Sequence, residues 1–396
     1  MKRLTLLLLG LALGVSATAS AQGLTMQMSN GWSFSFSGNV NAFWVFSKVN
    51  NSGPANSSVR TGLLPTFATF SATGKEAGLN LGVHFGFAPQ INNAGVHDQF
   101  GAQIDMRQVY LTIGFKDGSQ ILAGRELGLF GRQNILTDMT LFGVGALGLP
   151  GITLPGNPPQ GGGTTLGRIG YGYIYPNFNA QVTYSTKPGQ AQLSVGLFQP
   201  SISTGAYTFT KIPRVEAEFT YNQKSGKNTY SVWIGGLWQS TSNAASGGNT
   251  ASSFGGTAGI KAGLSDLSIV ADAYIGKGLG TTLMFSGLAG GGVAANGTDL
   301  RKSDGGIVQL MYKVSPKTNI GASYGFSRLV NDQTGDGNTA VRSNLYSYTV
   351  GFYHQWTKSL KAVLEGTQEG TTGVIGLAGS PGVKMINISG GFMLFY

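Results

Sequence analysis

Between residues 32 and 46 every second position is apolar or small (Trp32, Phe34, Phe36, Gly38, Val40, Ala42, Trp44, Phe46), with Ser33, Ser35, Ser37, Asn39 and Asn41 between them. The pattern lapses only at Phe43 and Val45. A period of two puts the two sets on opposite sides of a β-strand. Residues 79–87, 213–222 and 319–326 repeat it, the first with Leu79, Leu81, Val83, Phe85 and Phe87 against Asn80, Gly82, His84 and Gly86. Where the apolar side of such a strand faces lipid, the backbone finds no water. Both edges must then be paired, and the strands close into a cylinder. Trp32 and Trp44 lie twelve residues apart on the apolar side. At about 3.3 Å per residue and a tilt near 40°, that separates them by roughly 30 Å, one at each membrane interface.

The connections alternate in length along the chain. Long ones fall at 49–59, 89–102, 128–163, 200–209, 241–252, 279–303, 331–341 and 371–382, and tight turns at 74–77, 116–118, 187–189, 224–227, 264–266, 315–317 and 357–359. An even number of antiparallel strands, with short turns at one end and long loops at the other, is the plan of a bacterial outer-membrane barrel. With 164–186 read as one strand bent at Pro176, the expectation is an all-β transmembrane antiparallel barrel of sixteen strands. Eighteen is the alternative.

The ends fit a secreted barrel. Lys2 and Arg3, the apolar run 4–15 and Ala19-Ser20-Ala21 have the form of a secretory signal over residues 1–21, leaving 22–396 as the barrel. The mature part has no run of 18 apolar residues for a helical span. Charged residues make up only 11% of the chain, against about a quarter in a compact soluble domain. The chain has no cysteine, which is compatible with an oxidising compartment. The last residues put Ile388, Gly390, Phe392, Leu394 and Tyr396 on one face. This resembles the C-terminal signature of outer-membrane proteins and implies recognition by the barrel assembly machinery. Trp356 and Tyr396 join Trp32 and Trp44 as expected interfacial residues.

Sixteen strands enclose more space than side chains can fill, so a water-filled bore is expected. Segment 128–163 is 36 residues long and holds an apolar stretch (Leu141, Phe142, Val144, Leu147, Leu149, Ile152, Leu154) and four prolines. Such a stretch needs a surface to pack on, and the inner wall offers one; an external cap or partner surface is the alternative. Alternation turns Arg168, Arg214, Glu216, Glu218 and His84 toward the bore, as it does Lys261, Lys361, Glu365 and Glu369. Tyr173, Trp233 and Tyr353 would reach it only with a shifted register.

Arg107-Gln108-Val109-Tyr110-Leu111, the turn Lys116-Asp117-Gly118, Gly124-Arg125 and the long segment after them resemble the general porins of Gram-negative outer membranes. The resemblance implies a homotrimeric channel narrowed by its third loop, with arginines on the wall facing acids on the loop. It makes Arg107, Arg125, Glu126, Arg132 and Asp138 candidate pore-lining residues. Unbroken alternation sets Arg107 with Val109, Leu111 and Ile113, so a bulge must reset the register there or Arg107 lies beyond the lipid band; Arg125 raises the same problem. Arg107, Arg125, Arg132, Arg168 and Arg214 together would give a positive field that attracts anions. The alternative is that they pair with Glu126, Asp138, Glu216 and Glu218 and brace the wall.

Nothing in the sequence points to catalysis, a cofactor or a metal. His84, His97 and His354 have no metal-ligand spacing, and no G-x-S-x-G occurs. Asp332 and Asp336 fit no defined calcium loop, and no basic stripe with stacking aromatics suggests nucleic acid. The expected function is passive diffusion of small hydrophilic solutes and ions, with a modest anion preference. The alternatives are a channel specific for sugars or carboxylates, and a plugged barrel acting as adhesin or enzyme.

Overall fold

A computed structural model describes residues 23–50, 55–91, 104–149, 164–202, 205–243, 248–285, 291–330, 334–336, 342–372 and 382–396. The expected signal segment and Asp332 lie outside them. One sheet holds all eighteen strands. Two are short: β1 (Leu24–Gln27) and β3 (Asn56–Arg60) each pair with part of β2 (Ser33–Val49). The other sixteen form the wall. After β2 come β4 (Phe67–Glu76), β5 (Leu79–Pro89), β6 (Ile104–Gly114), β7 (Gln120–Leu127), β8 (Phe178–Ser185), β9 (Ala191–Phe198), β10 (Arg214–Ser225) and β11 (Asn228–Asn243). Then follow β12 (Asn249–Leu264), β13 (Leu267–Lys277), β14 (Lys302–Ser315), β15 (Thr318–Val330), β16 (Arg342–Gln355), β17 (Leu360–Thr371) and β18 (Lys384–Phe395). Each pairs antiparallel with the next, and β18 closes on β2 from Met385 opposite Val49 to Phe395 opposite Asn39. No wall edge is left open.

The tight turns fall within a few residues of where the sequence places them, the first at Ala77–Gly78 rather than at 74–77. Between β4 and β5, Ala77 and Gly78 both take positive φ (47° and 82°). That is the type I′ geometry whose twist matches the paired strands. The outward set is apolar and exposed: Val40, Trp44, Ile234, Val350 and Leu364 are each at least 48% accessible. The inward set is mostly small or polar, as the serines and asparagines of β2 foretell. Phe43 and Val45, where the alternation lapses, are fully buried inside the wall. They belong to an apolar cluster with Leu141, Val144, Leu147, Leu149, Ile169 and Tyr171.

Two sequence expectations change. Residues 164–177 form no wall strand: β8 begins only at Phe178, so the third long connection runs from Gly128 to Asn177. Ile169, Tyr171 and Tyr173 are buried in the interior rather than turned to lipid. Gly167 (φ 57°) and Gly170 (φ 79°) break the extended backbone that a wall strand needs. In addition, Trp233 and Tyr353 lie on the inner face and are buried.

Candidate permeation path

Residues 128–149 run along the inner wall, held chiefly through their backbone. Leu129 and Phe130 donate their N–H groups to Glu216 Oε2 (2.8 and 3.0 Å). Helix α1 (Arg132–Thr137) follows. Asn134 on it donates to Asp272 on β13 (2.6 Å) and accepts from Trp233 Nε1 on β11 (3.2 Å). A 3-10 turn at Met139–Phe142 is capped by Asp138, and Met139 N–H donates to Gln309 on β14 (3.0 Å). Val144 and Gly145 then donate to Glu365 Oε2 (2.7 and 2.8 Å). Leu147 and Gly148 donate to the two oxygens of Glu369 (2.9 Å each). The contacts thus pass in order from β10 round to β17. A carboxylate that accepts backbone N–H groups makes the stronger, charge-assisted kind of hydrogen bond.

Residues 164–175 return beneath this layer. Tyr171 Oη donates to Glu369 (2.6 Å), Tyr173 Oη to Asp138 (2.8 Å), and Tyr175 N–H to the Thr282 carbonyl (3.0 Å). Burial pushes the Asp138 carboxyl above its usual range, opposed by the Arg168 guanidinium beside it.

Among the described residues the segment packs against one arc of the bore and not against the other. On β14 to β18 many inward side chains are buried, as at Ser327, Ser347, Glu369 and Asn387, while Met311, Asn319 and Lys361 near the turn end are half-exposed. On β4 to β7 the inward side chains Ser71, His84, Gln108, Tyr110, Thr112 and Glu126 are all half-exposed. His84 accepts from or donates to Ser71 Oγ through Nδ1 (2.8 Å), and its ring stacks on Tyr110 (4.6 Å). Gln108 donates to Glu126 (2.7 Å). Facing this polar arc, the segment shows half-exposed Arg132, Gln133, Leu136 and Phe142. Lys361 stands with its Nζ 4.1 Å over the Phe142 ring. Among the described residues, the half-exposed inward polar side chains thus gather chiefly on β4 to β7.

The expected arginine cluster is dispersed. Arg132 pairs with Glu218 (2.5 Å) and the fully buried Arg214 with Glu216 (2.8 Å). Arg168 is not on the wall but on the returning segment, fully buried and bonded to the Ser323 carbonyl (2.9 Å) and the Ser347 hydroxyl. At Arg107 a bulge does reset the register: Gly86 pairs with Gln108 and Phe87 with Met106, skipping Arg107. Its side chain reaches Asp105 (2.9 Å) and Tyr175 Oη (3.3 Å). Arg125 is corrected outright. It lies opposite Val109 and Ala180, in step with Ile121 and Ala123, and is exposed on the outer face. No bulge intervenes on β7 to turn it inward.

Sequence reasoning did not foresee that Glu365 and Glu369 would hold backbone amides, since their partners carry no side-chain signature. Asp336 is buried against Arg301 (2.8 Å). No metal-binding group of His, Cys, Asp or Glu occurs among the described residues. At the wall's rims Trp32 donates to Glu76 (3.2 Å), Trp44 to Ser57 (2.8 Å), Trp356 lies by Phe392, and Tyr396 packs on Phe36.

Solved structures share this architecture. The outer membrane channel DcaP of Acinetobacter baumannii superposes with a TM-score of 0.64 at 15% identity, covering 94% of this chain and 99% of its own. The anion-selective porin of Comamonas acidovorans gives 0.63 at 12% identity, covering 92% and 100%. A trimer form of OmpT of Vibrio cholerae gives 0.52 at 13% identity, covering 92% and 100%. No curated protein sequence matches the chain. The family model described as Gram-negative porin matches residues 5–373. With that match spanning nearly the whole closed sixteen-stranded wall, the chain belongs to the Gram-negative porins: it is an outer-membrane channel, not an enzyme.

Proposed function

We propose that this porin passes small hydrophilic solutes and ions by diffusion along an off-centre path against β4 to β7, with a modest anion preference, and that segment 128–177 sets the bore. The observation that carries this reading is the contrast between the covered arc and the half-exposed polar arc on β4 to β7. The preference rests on two lysines rather than on the arginines. Lys261 and Lys361 point inward, half-exposed, and neither forms an ion pair among the described residues. Most inner carboxylates are instead engaged by amides or arginines. Unpaired cations in a low-dielectric passage raise the local anion concentration. The similarity to an anion-selective porin points the same way.

The test is single-channel recording of refolded protein in a salt gradient. Lys261→Ser with Lys361→Ser should move the reversal potential toward cations; an unchanged potential rejects the assignment. The stacked His84–Tyr110 pair beside Gln108 and Glu126 favours a second reading, a channel with a preferred sugar or carboxylate. Saturable block of conductance by one solute would identify it.

The channel is also proposed to be a homotrimer, as the trimer form of OmpT is. Strands β7, β8 and β9 have only 8 residues each, about 20 Å of wall at a 40° tilt, less than the ~25 Å apolar band. Irregular backbone does not face lipid at that depth, so this low arc, with Arg125 on it, suits a partner subunit. The strand ending at Tyr396 is proposed to carry the signal for barrel assembly.

A further inference from the structure

Near the tight turns, one arc of the inner face gathers polar groups that the rest of the chain does not engage. Lys224 on β10, Thr229 on β11, Gly263 on β12, Ser268 on β13 and Met311 on β14 stand in register as one row. One pleat further from the turns, Ser231 lies directly opposite Lys261. Parity sets them inward, in step with Glu218, Trp233, Thr257, Asp272 and Gln309. Lys224 and Lys261 have no ion pair among the described residues. The hydroxyls of Thr229, Ser231 and Ser268 form no hydrogen bond among them either, and all three residues are exposed or half-exposed. Gly263 leaves a gap between Thr229 and Ser268. A Cβ there would meet Thr229 Oγ1 at 2.5 Å, so that hydroxyl already leans into the gap. Two strand spacings across and two residues along put Lys224 about 12 Å from Lys261. Two flexible four-carbon stems can close over one small anion from that distance.

Other arcs of the inner face are built differently. Ser185 pairs with Ser194 and Thr349 with Thr367 (2.8 Å each), so their hydroxyls are engaged. Lys361 lies over the Phe142 ring and opposite the buried Met393. Two acids come near the row. Asp266 is exposed in the β12–β13 turn, and Asp272, four residues beyond Ser268, is buried and bonded to Asn134 (2.6 Å). Against them, Lys227 in the β10–β11 turn and Lys313, two residues beyond Met311, add two more exposed cations. Solvation of the lysines accounts for the charge alone. It does not account for unbonded hydroxyls set round a glycine between them.

We propose that this patch binds the phosphate group of a small soluble anion, with Lys224 and Lys261 as its counter-charges and Thr229, Ser231 and Ser268 as hydrogen-bond donors. The inference rests on the open path proposed above and gives that path a station near its turn end. A phosphate presents several oxygens at once, so it takes ammonium and hydroxyl donors together, in charge-assisted bonds. Chloride, a single acceptor of one charge, gains less from the same donors. Lys227 and Lys313 raise the anion concentration round the mouth. A solute held here lingers in passage and obstructs the flow of chloride while it stays.

Single-channel recording of the refolded full-length barrel in potassium chloride tests this, with inorganic phosphate and glycerol phosphate as probes. A saturable block by either supports the site and names its source, the free ion or a phosphate monoester; block by neither overturns it. Thr229→Val with Ser268→Ala keeps every charge and should weaken the block at least roughly tenfold, through the hydrogen bonds to a charged group that it removes. Lys224→Gln with Lys261→Gln should weaken it by as much or more. Lys75→Gln with Lys116→Gln removes the same charge from turns on the far arc and should be blocked like the wild type. Heat-modifiable gel mobility confirms that each variant has folded. Unchanged block in the hydroxyl variant or in the Lys224–Lys261 variant overturns the proposal. So does an equal loss in the Lys75–Lys116 variant, which would assign the block to the general positive field. The reversal potential of the wild type without phosphate reports the anion preference separately, so the two readings can fail independently.

Discussion

Glu365 and Glu369 hold the same stretch of the inward segment, yet replacing each by glutamine should have unequal effects. Glu365 receives both of its amides, from Val144 and Gly145, on Oε2, while Oε1 accepts the Tyr353 hydroxyl (2.7 Å). A glutamine can keep its carbonyl toward the amides and turn its NH2 to the Tyr353 oxygen. Only charge assistance is lost, about 1–2 kcal/mol. Glu369 receives Leu147 on Oε1 and Gly148 with Tyr171 Oη on Oε2. Either orientation of a glutamine points its NH2 at a backbone N–H, which loses one bond and orphans a buried donor. That costs about 3–4 kcal/mol. The difference of about 2 kcal/mol corresponds to roughly a 30-fold difference in the ratio of detached to held segment. In planar-bilayer recordings Glu369→Gln should flicker into substates far more often than Glu365→Gln. Equal noise in the two, or a noisier Glu365→Gln, would refute the role given to these bonds.

Arg214→Ser leaves Glu216 buried without its cation. It should lower the temperature of the heat-mobility transition, as expected for a broken buried pair of about 3–5 kcal/mol, while leaving the reversal potential unchanged. Arg125→Leu removes a charge that costs about 2–4 kcal/mol against lipid near the midplane, so unheated gels should show more monomer at the expense of trimer. Gly124 takes φ 135°, and a Cβ there would sit 2.3 Å from the Val109 carbonyl oxygen and 2.5 Å from Tyr110 Cα. Gly124→Ala should therefore reduce refolding yield, measured as the folded fraction by gel shift.

The wall is legible in the sequence because lipid enforces period two on one face and short turns leave no room for other connections. The residue that breaks the rule at Arg107 is legible as well: alternation cannot be kept through it, and a bulge resolves the conflict. Residues 164–177 mislead for a physical reason. Ile169, Tyr171 and Tyr173 alternate like lipid-facing positions, yet they bury against the inward segment, which is also an apolar surface. Gly167, Gly170 and Gly172 are the signal against a wall strand there. The arginines are harder still. Inward direction follows from parity, but whether a charge meets water or a carboxylate depends on what the segment covers, and that is set by contacts between residues far apart in the chain.

The wall grips the inward segment by its main chain, through Glu216, Glu365 and Glu369. Every residue type except proline offers the same N–H, so this mode of attachment is indifferent to the side chains it carries. Substitutions on the segment can then alter the bore's charge and width while the anchorage persists, and a lineage can retune what it admits without redesigning the cylinder.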